Sequence, residues 1–233
     1  MQKIIVTGGK GRFASVLSKI KSKKYKFIFK DKKSLDITNI SSIKKNLNKI
    51  KPKFILHLAG LSRPLNQHKT NISKSINLNI IGTANLVAEC SKQNIKLIYF
   101  SSSYVYQGTR GNYKENDPVL PWSNYAWSKL GGECSVQMYH NSLILRVSMT
   151  EKPFIHKKAY ANVKTNFIYH DDLANIMIKL MDKKGVINIG GPRQTIYNFA
   201  KKDNKVLKKI YSKGEFPLNQ DMSLNKMKKI LKK

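Results

Sequence analysis

Lys3-Ile4-Ile5-Val6-Thr7-Gly8-Gly9-Lys10-Gly11-Arg12-Phe13-Ala14 is the stretch whose reading decides the fold. Lys3 to Thr7 is a β-branched run, the glycines interrupt it, and Arg12 to Ile20 has helical apolar spacing. The segment therefore reads strand, turn, helix. Gly8, Gly11 and Ala14 give the pattern G-x-x-G-x-x-A, in which glycine lets the backbone approach a pyrophosphate and the helix N-terminus offers unpaired N–H groups. A plain tight turn is the competing reading of the same letters. Its place at the first strand-to-helix turn favours dinucleotide binding, with Thr7, Gly8, Gly11, Arg12 and Phe13 as the contacting residues.

Outward from this turn the alternation repeats. Strand-like runs lie at Tyr25 to Phe29, Lys53 to Leu58, 95–100, 142–147 and 185–189, separated by helical patterns at 39–50, 72–92, 124–140 and 171–183. Apolar strands alternating with helices predict an α/β fold with a doubly wound parallel sheet, a Rossmann fold covered on both faces. After Arg146 the regularity fades. Residues 149–166 have no clear period, and the tail carries Lys-rich helical patterns near 195–213 and 222–232. The expected division is a nucleotide-binding domain over 1–148 and a small, reduced substrate-binding portion over 149–233, interleaved with the last strand and helices of the core.

The 233 residues carry a formal charge of +31, but of 44 basic residues only Arg12, Arg63, Arg110, Arg146 and Arg193 are arginine. Arginine is the better residue for bidentate phosphate and base contacts, so the charge reads as a lysine-rich solvated surface and no specific nucleic-acid partner is expected. A positive field still attracts anionic ligands such as dinucleotides and nucleotide sugars. No apolar stretch approaches bilayer length, so no membrane partner is expected. The first strand begins at Lys3 with no room for a leader ahead of it, and a cytoplasmic protein is the expectation. Cys90 and Cys134 lack metal-ligand spacing and read as reduced helix residues. No metal is assigned.

Ser101-Ser102-Ser103-Tyr104-Val105-Tyr106 follows the apolar run ending at Phe100, and Tyr125-Ala126-Trp127-Ser128-Lys129 follows after a polar loop. Tyr and Lys four apart project from one helix face. The lysine cation favours the phenolate, which suits Tyr125 to exchange a proton near neutral pH. Ser102 would hydrogen-bond an oxygen on which negative charge develops. This is apparatus for protonating a carbonyl during hydride transfer. Lysine is abundant enough that about two Tyr-x-x-x-Lys matches arise by chance, and Tyr160/Lys164 and Tyr197/Lys201 are two further matches without a serine-rich strand end upstream.

At the end of the second strand, Lys30 and Arg12 could pair with the 2′-phosphate of NADP, whereas Asp31 could instead accept a ribose hydroxyl. NADP(H) is favoured, with NAD(H) left open. His57-Leu58-Ala59-Gly60 ends the third strand with small residues against which a cofactor can lie, and His57 reads as a satisfied structural residue. Asp171-Asp172 reads as charge at a helix N-terminus.

Thr7 to Gly11, Leu35-Asp36-Ile37-Thr38, His57 to Gly60, Asn79-Ile80-Ile81-Gly82-Thr83, Ser102 to Tyr106, Tyr125 to Lys129 with Gly132-Glu133, Leu145-Arg146 and His170 to Ala174 occur in an order that resembles the extended short-chain dehydrogenase/reductases. Within them the chain is similar to the dTDP-4-dehydrorhamnose reductase-like group, which Gly111 to Pro118 also resembles. The resemblance implies a cytoplasmic NADP(H)-dependent oxidoreductase acting on a nucleotide-activated 4-keto-6-deoxy sugar in polysaccharide biosynthesis. It implies that Ser102, Tyr125 and Lys129 are catalytic and that Lys129 also holds the nicotinamide ribose. It further implies that Asp36 and Ile37 contact adenine, that Leu58, Ala59 and Gly60 line the cofactor, and that Asn79 supports the active-site helix. Tyr104 and Arg146 would face the substrate, with Lys157 and Lys158 on a mobile basic flap. A homodimer is allowed.

Two departures matter. Related 4,6-dehydratases carry an Asp-Glu pair after the catalytic hydroxyl, where this chain has Ser103-Tyr104. The region after Arg146 is shorter than usual. A nucleotide-sugar 4-epimerase with retained NAD and a non-catalytic regulatory subunit are the alternatives.

Overall fold

The structure is a computed structural model and describes residues 1–232. Its chain divides into two compact units. The first comprises Met1–Ser101, Ser123–Leu145 and Met181–Gly185, and the second Ser102–Trp122, Arg146–Leu180 and Val186–Lys233. In chain order the elements are β1 (Gln2–Thr7), α1 (Arg12–Leu17), β2 (Tyr25–Lys30), α2 (Ile40–Ile50), β3 (Phe54–His57), α3 (Gln67–Thr70) and α4 (Ile72–Ile76). A π-helical turn (Asn77–Ile81) leads into α5 (Gly82–Lys92), followed by β4 (Lys96–Ser102), α6 (Asn124–Gln137) and β5 (Ser142–Val147). Then come β6 (Met149–Thr150), β7 (Lys158–Tyr160), β8 (Lys164–Thr165), β9 (Ile168–Tyr169) and α7 (His170–Leu180). The chain ends with β10 (Gly185–Ile189), β11 (Gln194–Thr195), α8 (Ile196–Ala200), β12 (Lys208–Ile210) and α9 (Asn225–Leu231).

The main sheet has the order β10-β5-β4-β3-β1-β2, with β1 parallel to both β2 and β3, and β3 parallel to β4. Ile4 sits opposite Phe27 on one side and Phe54 on the other. Ile4, Ile5, Val6, Ile55, Leu56, Leu97 and Ile98 are fully buried, as expected of strands covered on both faces. The chain leaves β1 toward β2 and returns on the other side of β1 to form β3, so the crossovers diverge at the carboxyl ends of β1 and β3. That is the crevice where open α/β sheets bind ligands. The turns Thr7–Gly11 and Leu58–Gly60 both lie there. This is the doubly wound sheet that the alternation predicts.

Local chemistry sets the helix starts. Asn39, Asn71 and Ser123 each accept a backbone N–H of the turn they cap, removing an otherwise orphaned donor. The expected helix over 72–92 is interrupted by the π turn at Asn77–Ile81. Apolar spacing does not register one extra residue in a turn, so the sequence shows nothing there, yet such bulges gather at functional sites. Cys90 is buried on α5 and Cys134 exposed on α6, both free.

In the second unit two expectations are corrected. The helical pattern at 195–213 stops at Ala200, and Lys208–Ile210 forms a strand parallel to β7, with Lys208 opposite Lys158. Burial overrides the lysine spacing: Leu207 joins Phe154, Ala159, Val163, Ile196, Phe199 and Ala200 in one apolar cluster. The same cluster anchors the supposedly irregular flap through Phe154, Ala159 and Val163. No helix among the described residues is long and apolar enough to cross a membrane.

Candidate active site

A buried polar chain links the turns at the ends of β1 and β3 to the helix carrying Tyr125, all within the first unit. The Thr7 hydroxyl accepts the N–H groups of Leu58 and Ala59, each at 3.1 Å, and lies 2.9 Å from His57 Nδ1. His57 Nε2 lies 3.0 Å from the Thr83 hydroxyl, which donates to the Asn79 carbonyl at 2.8 Å. Burial, with the Lys129 charge second, pushes His57 down to about 3, so the ring is neutral. With Thr83 already donating to Asn79, Nε2 carries the proton and Nδ1 accepts from Thr7. His57 is a satisfied link rather than a proton donor to a ligand.

Asn79, in the π turn, is the hub of this unit. Its Oδ1 accepts the Leu61 N–H at 2.7 Å, and its Nδ2 donates to the Leu61 carbonyl at 2.9 Å and to the Ser128 hydroxyl at 2.8 Å. Ser128 donates in turn to the Tyr125 carbonyl at 2.8 Å. A side chain on the π turn thus pins the first turns of α6. Gly132 lets the two elements meet, since a Cβ there would lie 2.4 Å from the Asn79 carbonyl oxygen.

Lys129 projects across the Tyr99 ring, with Nζ 4.2 Å from its centroid, and the Tyr99 hydroxyl donates to the Lys129 carbonyl at 2.9 Å. Burial pushes Lys129 down to about 7, while the carboxylate of Glu133 one turn on works the other way. Near neutral pH the protein alone holds this lysine only partly charged, so an anionic ligand beside it would restore the cation. Tyr125, one turn earlier on α6, packs edge-on against His68 with ring centroids 5.2 Å apart.

At the glycine turn, Gly8 adopts φ +66°, and a Cβ there would lie 2.8 Å from Ala59. Gly9 and Gly11 N–H groups are spent on Lys30 and Gly8 carbonyls. Gly11, with no side chain of its own to cap α1, leads into that helix, and the glycine turn lies directly against Ala59 of the turn after β3. This cradle fits the pyrophosphate of a dinucleotide. Asp31 is paired with Lys10 at 2.7 Å and also accepts the Ser34 hydroxyl, which holds its carboxyl well below the usual carboxylate range. Burial works against the Asp36 charge, but the Thr38 hydroxyl and N–H overcome it and hold its carboxyl low. Arg12 Nη2 donates to Ser62 at 3.5 Å. Phe13 is buried against Phe100, and Ile37 is buried against Gly82.

The remaining expected residues belong to the second unit. Ser102, buried, ends β4 and accepts the Tyr104 N–H at 3.2 Å. Tyr104 packs against Trp122 and Phe216. Lys157 and Lys158 are exposed. Arg146 is only 3% exposed, and its guanidinium donates to the Tyr106 hydroxyl at 2.7 Å and the Glu115 carbonyl at 3.0 Å. It is committed to protein partners rather than held out to a substrate. Of the other Tyr-x-x-x-Lys matches, Tyr160/Lys164 spans two strands, and Tyr197/Lys201 closes on itself with Lys201 Nζ 5.7 Å from the Tyr197 ring.

Sequence reasoning passed over Ser128, Thr83, Tyr99 and His68. Ser128 and Thr83 lie inside quoted motifs, where hydroxyls beside Asn79 and Tyr125 were the available signal; His68 has no sequence signal at all.

The profile of the RmlD substrate binding domain family matches residues 1–186. The chain belongs to this family. It is similar to the dTDP-4-dehydrorhamnose reductase of Aggregatibacter actinomycetemcomitans, with 26% identity over 201 residues, 82% of this chain and 63% of the relative. The methionine adenosyltransferase 2 subunit beta of Xenopus tropicalis is 33% identical over 116 residues, 48% of this chain and 34% of its own length. The chain thus spans less than two thirds of the length of these curated relatives. The structure of a dTDP-4-dehydrorhamnose reductase from Bacillus anthracis, solved in complex with NADP, superposes with a TM-score of 0.87 at 24% identity, covering 98% of this chain and 92% of that one.

Proposed function

We propose that this chain is an NADP(H)-dependent reductase of a nucleotide-activated 4-keto-6-deoxy sugar. The observation that carries the reading is the pinned α6 turn, in which Asn79 and Ser128 fix the backbone of Tyr125 and place Lys129 one turn away. A bound nicotinamide supplies or accepts the hydride. Tyr125 gives its phenolic proton to the carbonyl oxygen, and charged Lys129 stabilises the phenolate left behind. Ser102 hydrogen-bonds the same oxygen, a role resting on its place at the end of β4 and on the family pattern. The Gly8–Gly11 turn, Leu58, Ala59 and Gly60 would hold the dinucleotide, with Lys30 and Arg12 at the 2′-phosphate. The NADP complex of the Bacillus anthracis relative supports that choice.

The test is NADPH oxidation against dTDP-, UDP- and GDP-linked 4-keto sugars, with a dTDP-linked substrate expected to turn over. The similarity to an adenosyltransferase subunit favours a second reading, a non-catalytic subunit on the same fold. Cofactor binding without turnover of any sugar would select that reading, and NAD retained through purification would select an epimerase. We further propose a cytoplasmic homodimer. Ile72, Ile76, Ile81 and Trp127, all exposed in the first unit, support burial against a second copy, and sedimentation equilibrium tests it.

A further inference from the structure

His68 lies on the one-turn helix α3 and is 1% exposed. Three contacts define its surroundings. Its Nδ1 lies 2.7 Å from the hydroxyl of Ser75, itself buried on α4. Its carbonyl accepts the side-chain N–H of Asn124, the residue before Tyr125, at 3.1 Å. Its ring meets the Tyr125 ring at 67° with centroids 5.2 Å apart. The other ring nitrogen, Nε2, is buried with no hydrogen-bond partner among the described residues.

An unpaired buried nitrogen is costly, and a phenylalanine would fill the same space without it. What phenylalanine lacks is the bond from Nδ1 to Ser75. That bond fixes the plane of the ring, and edge-to-face packing transmits the plane to the neighbouring aromatic. Burial and the nearby Lys129 charge both keep the imidazole neutral, so no second cation competes with Lys129 beside Tyr125.

We infer that His68 is a positioning residue for Tyr125: the Ser75 hydroxyl orients the imidazole, and the imidazole holds the phenol ring in the attitude needed for proton transfer. The inference rests on Tyr125 being the proton donor. It predicts that Ser75→Ala and His68→Phe each lower kcat several-fold with cofactor Kd unchanged. His68→Ala, which also removes the ring, should lower it about tenfold or more, because small misplacements of a reacting group are expensive.

The decisive readout is a double-mutant cycle. Ser75→Ala combined with His68→Phe should be no worse than His68→Phe alone, because both remove one bond. A merely structural role would lower melting temperature and leave kcat untouched, and that result, or additive losses in the double variant, overturns the inference. A second arm is independent of turnover: the ultraviolet titration of Tyr125, taken as the difference between each protein and its Tyr125→Phe counterpart. A phenolate transition unchanged by His68→Ala also overturns the inference. Wild-type protein inactive on every sugar would instead refute the reductase reading and leave this titration to decide the role of His68.

Discussion

Asn79 in the first unit and Asn188 in the second are both buried amide hubs, and they fasten different things. Asn79 ties the loop after β3 to α6 through Leu61 and Ser128. Asn188, 0% exposed, accepts from the Tyr106 hydroxyl, donates through Nδ2 to the Tyr113 carbonyl and takes the Glu115 carboxylate on its backbone N–H. In the first unit the bonds that hold the interior also run from the glycine turn to Tyr125, so stability and site geometry share the same groups. In the second they join β10 to the segment carrying Tyr106, Tyr113 and Glu115, and that segment to Arg146. Damage to one hub should therefore reach the chemistry; damage to the other should stop at stability.

The largest separation is expected in acid. His57 has a folded value of about 3 against an ordinary value near 6.5. The unfolded chain therefore takes the proton first, and the stability this neutral link supplies is lost as pH falls from about 6.5 to about 3. At roughly 1.4 kcal/mol per unit the loss approaches about 5 kcal/mol. Urea denaturation at several pH values should show this slope flattened in His57→Gln. A variant as acid-sensitive as wild type would mean that the relay contributes nothing.

Next come the hubs themselves. Asn79→Ala strands the Leu61 N–H and carbonyl and should cost roughly 3 kcal/mol, with a loss of turnover beyond what unfolding explains. Asn188→Ala removes an acceptor of the Tyr106 hydroxyl and one of two donors to the Tyr113 carbonyl, which keeps the Ser223 N–H, and should cost roughly 1 kcal/mol, with cofactor affinity unchanged in the folded protein. Chemical denaturation paired with cofactor titration compares them; equal effects on affinity and turnover would dissolve the distinction between the two hubs.

The smallest effect concerns cofactor choice. Lys30→Asp should move preference from NADP(H) toward NAD(H) by about tenfold, near 1.4 kcal/mol, because Asp31 is already held by Lys10 and Ser34. Tighter binding of NAD(H) than NADP(H) by the wild type would show that Asp31 leaves Lys10 for the ribose.

The same contrast explains what could be read from the letters. The first unit is legible because its constraints are local: β-branched runs at β1 and β3, glycines where the turn presses on Ala59, and Tyr and Lys one helical turn apart on α6. The π turn escaped because Ile72 to Lys92 keeps its apolar spacing through the bulge. In the second unit the deciding contacts join distant residues in short, lysine-rich strands. Lys208–Ile210 pairs with Lys158–Tyr160 across about fifty residues, and a three-residue strand is too short to display alternation. Arg146 looked like a substrate contact because nothing in its own segment announced Tyr106 and the Glu115 carbonyl as its partners.

Tyr125→Phe is the most direct measurement of the pair on α6, because it removes the phenolic hydroxyl and leaves the ring packed against His68. The expected result is an intact fold and unchanged NADPH affinity, with turnover of the dTDP-linked 4-keto sugar lower by about two orders of magnitude or more, the scale of a lost general acid. Near-normal turnover in that variant would contradict the assignment and place the proton donor elsewhere in the chain.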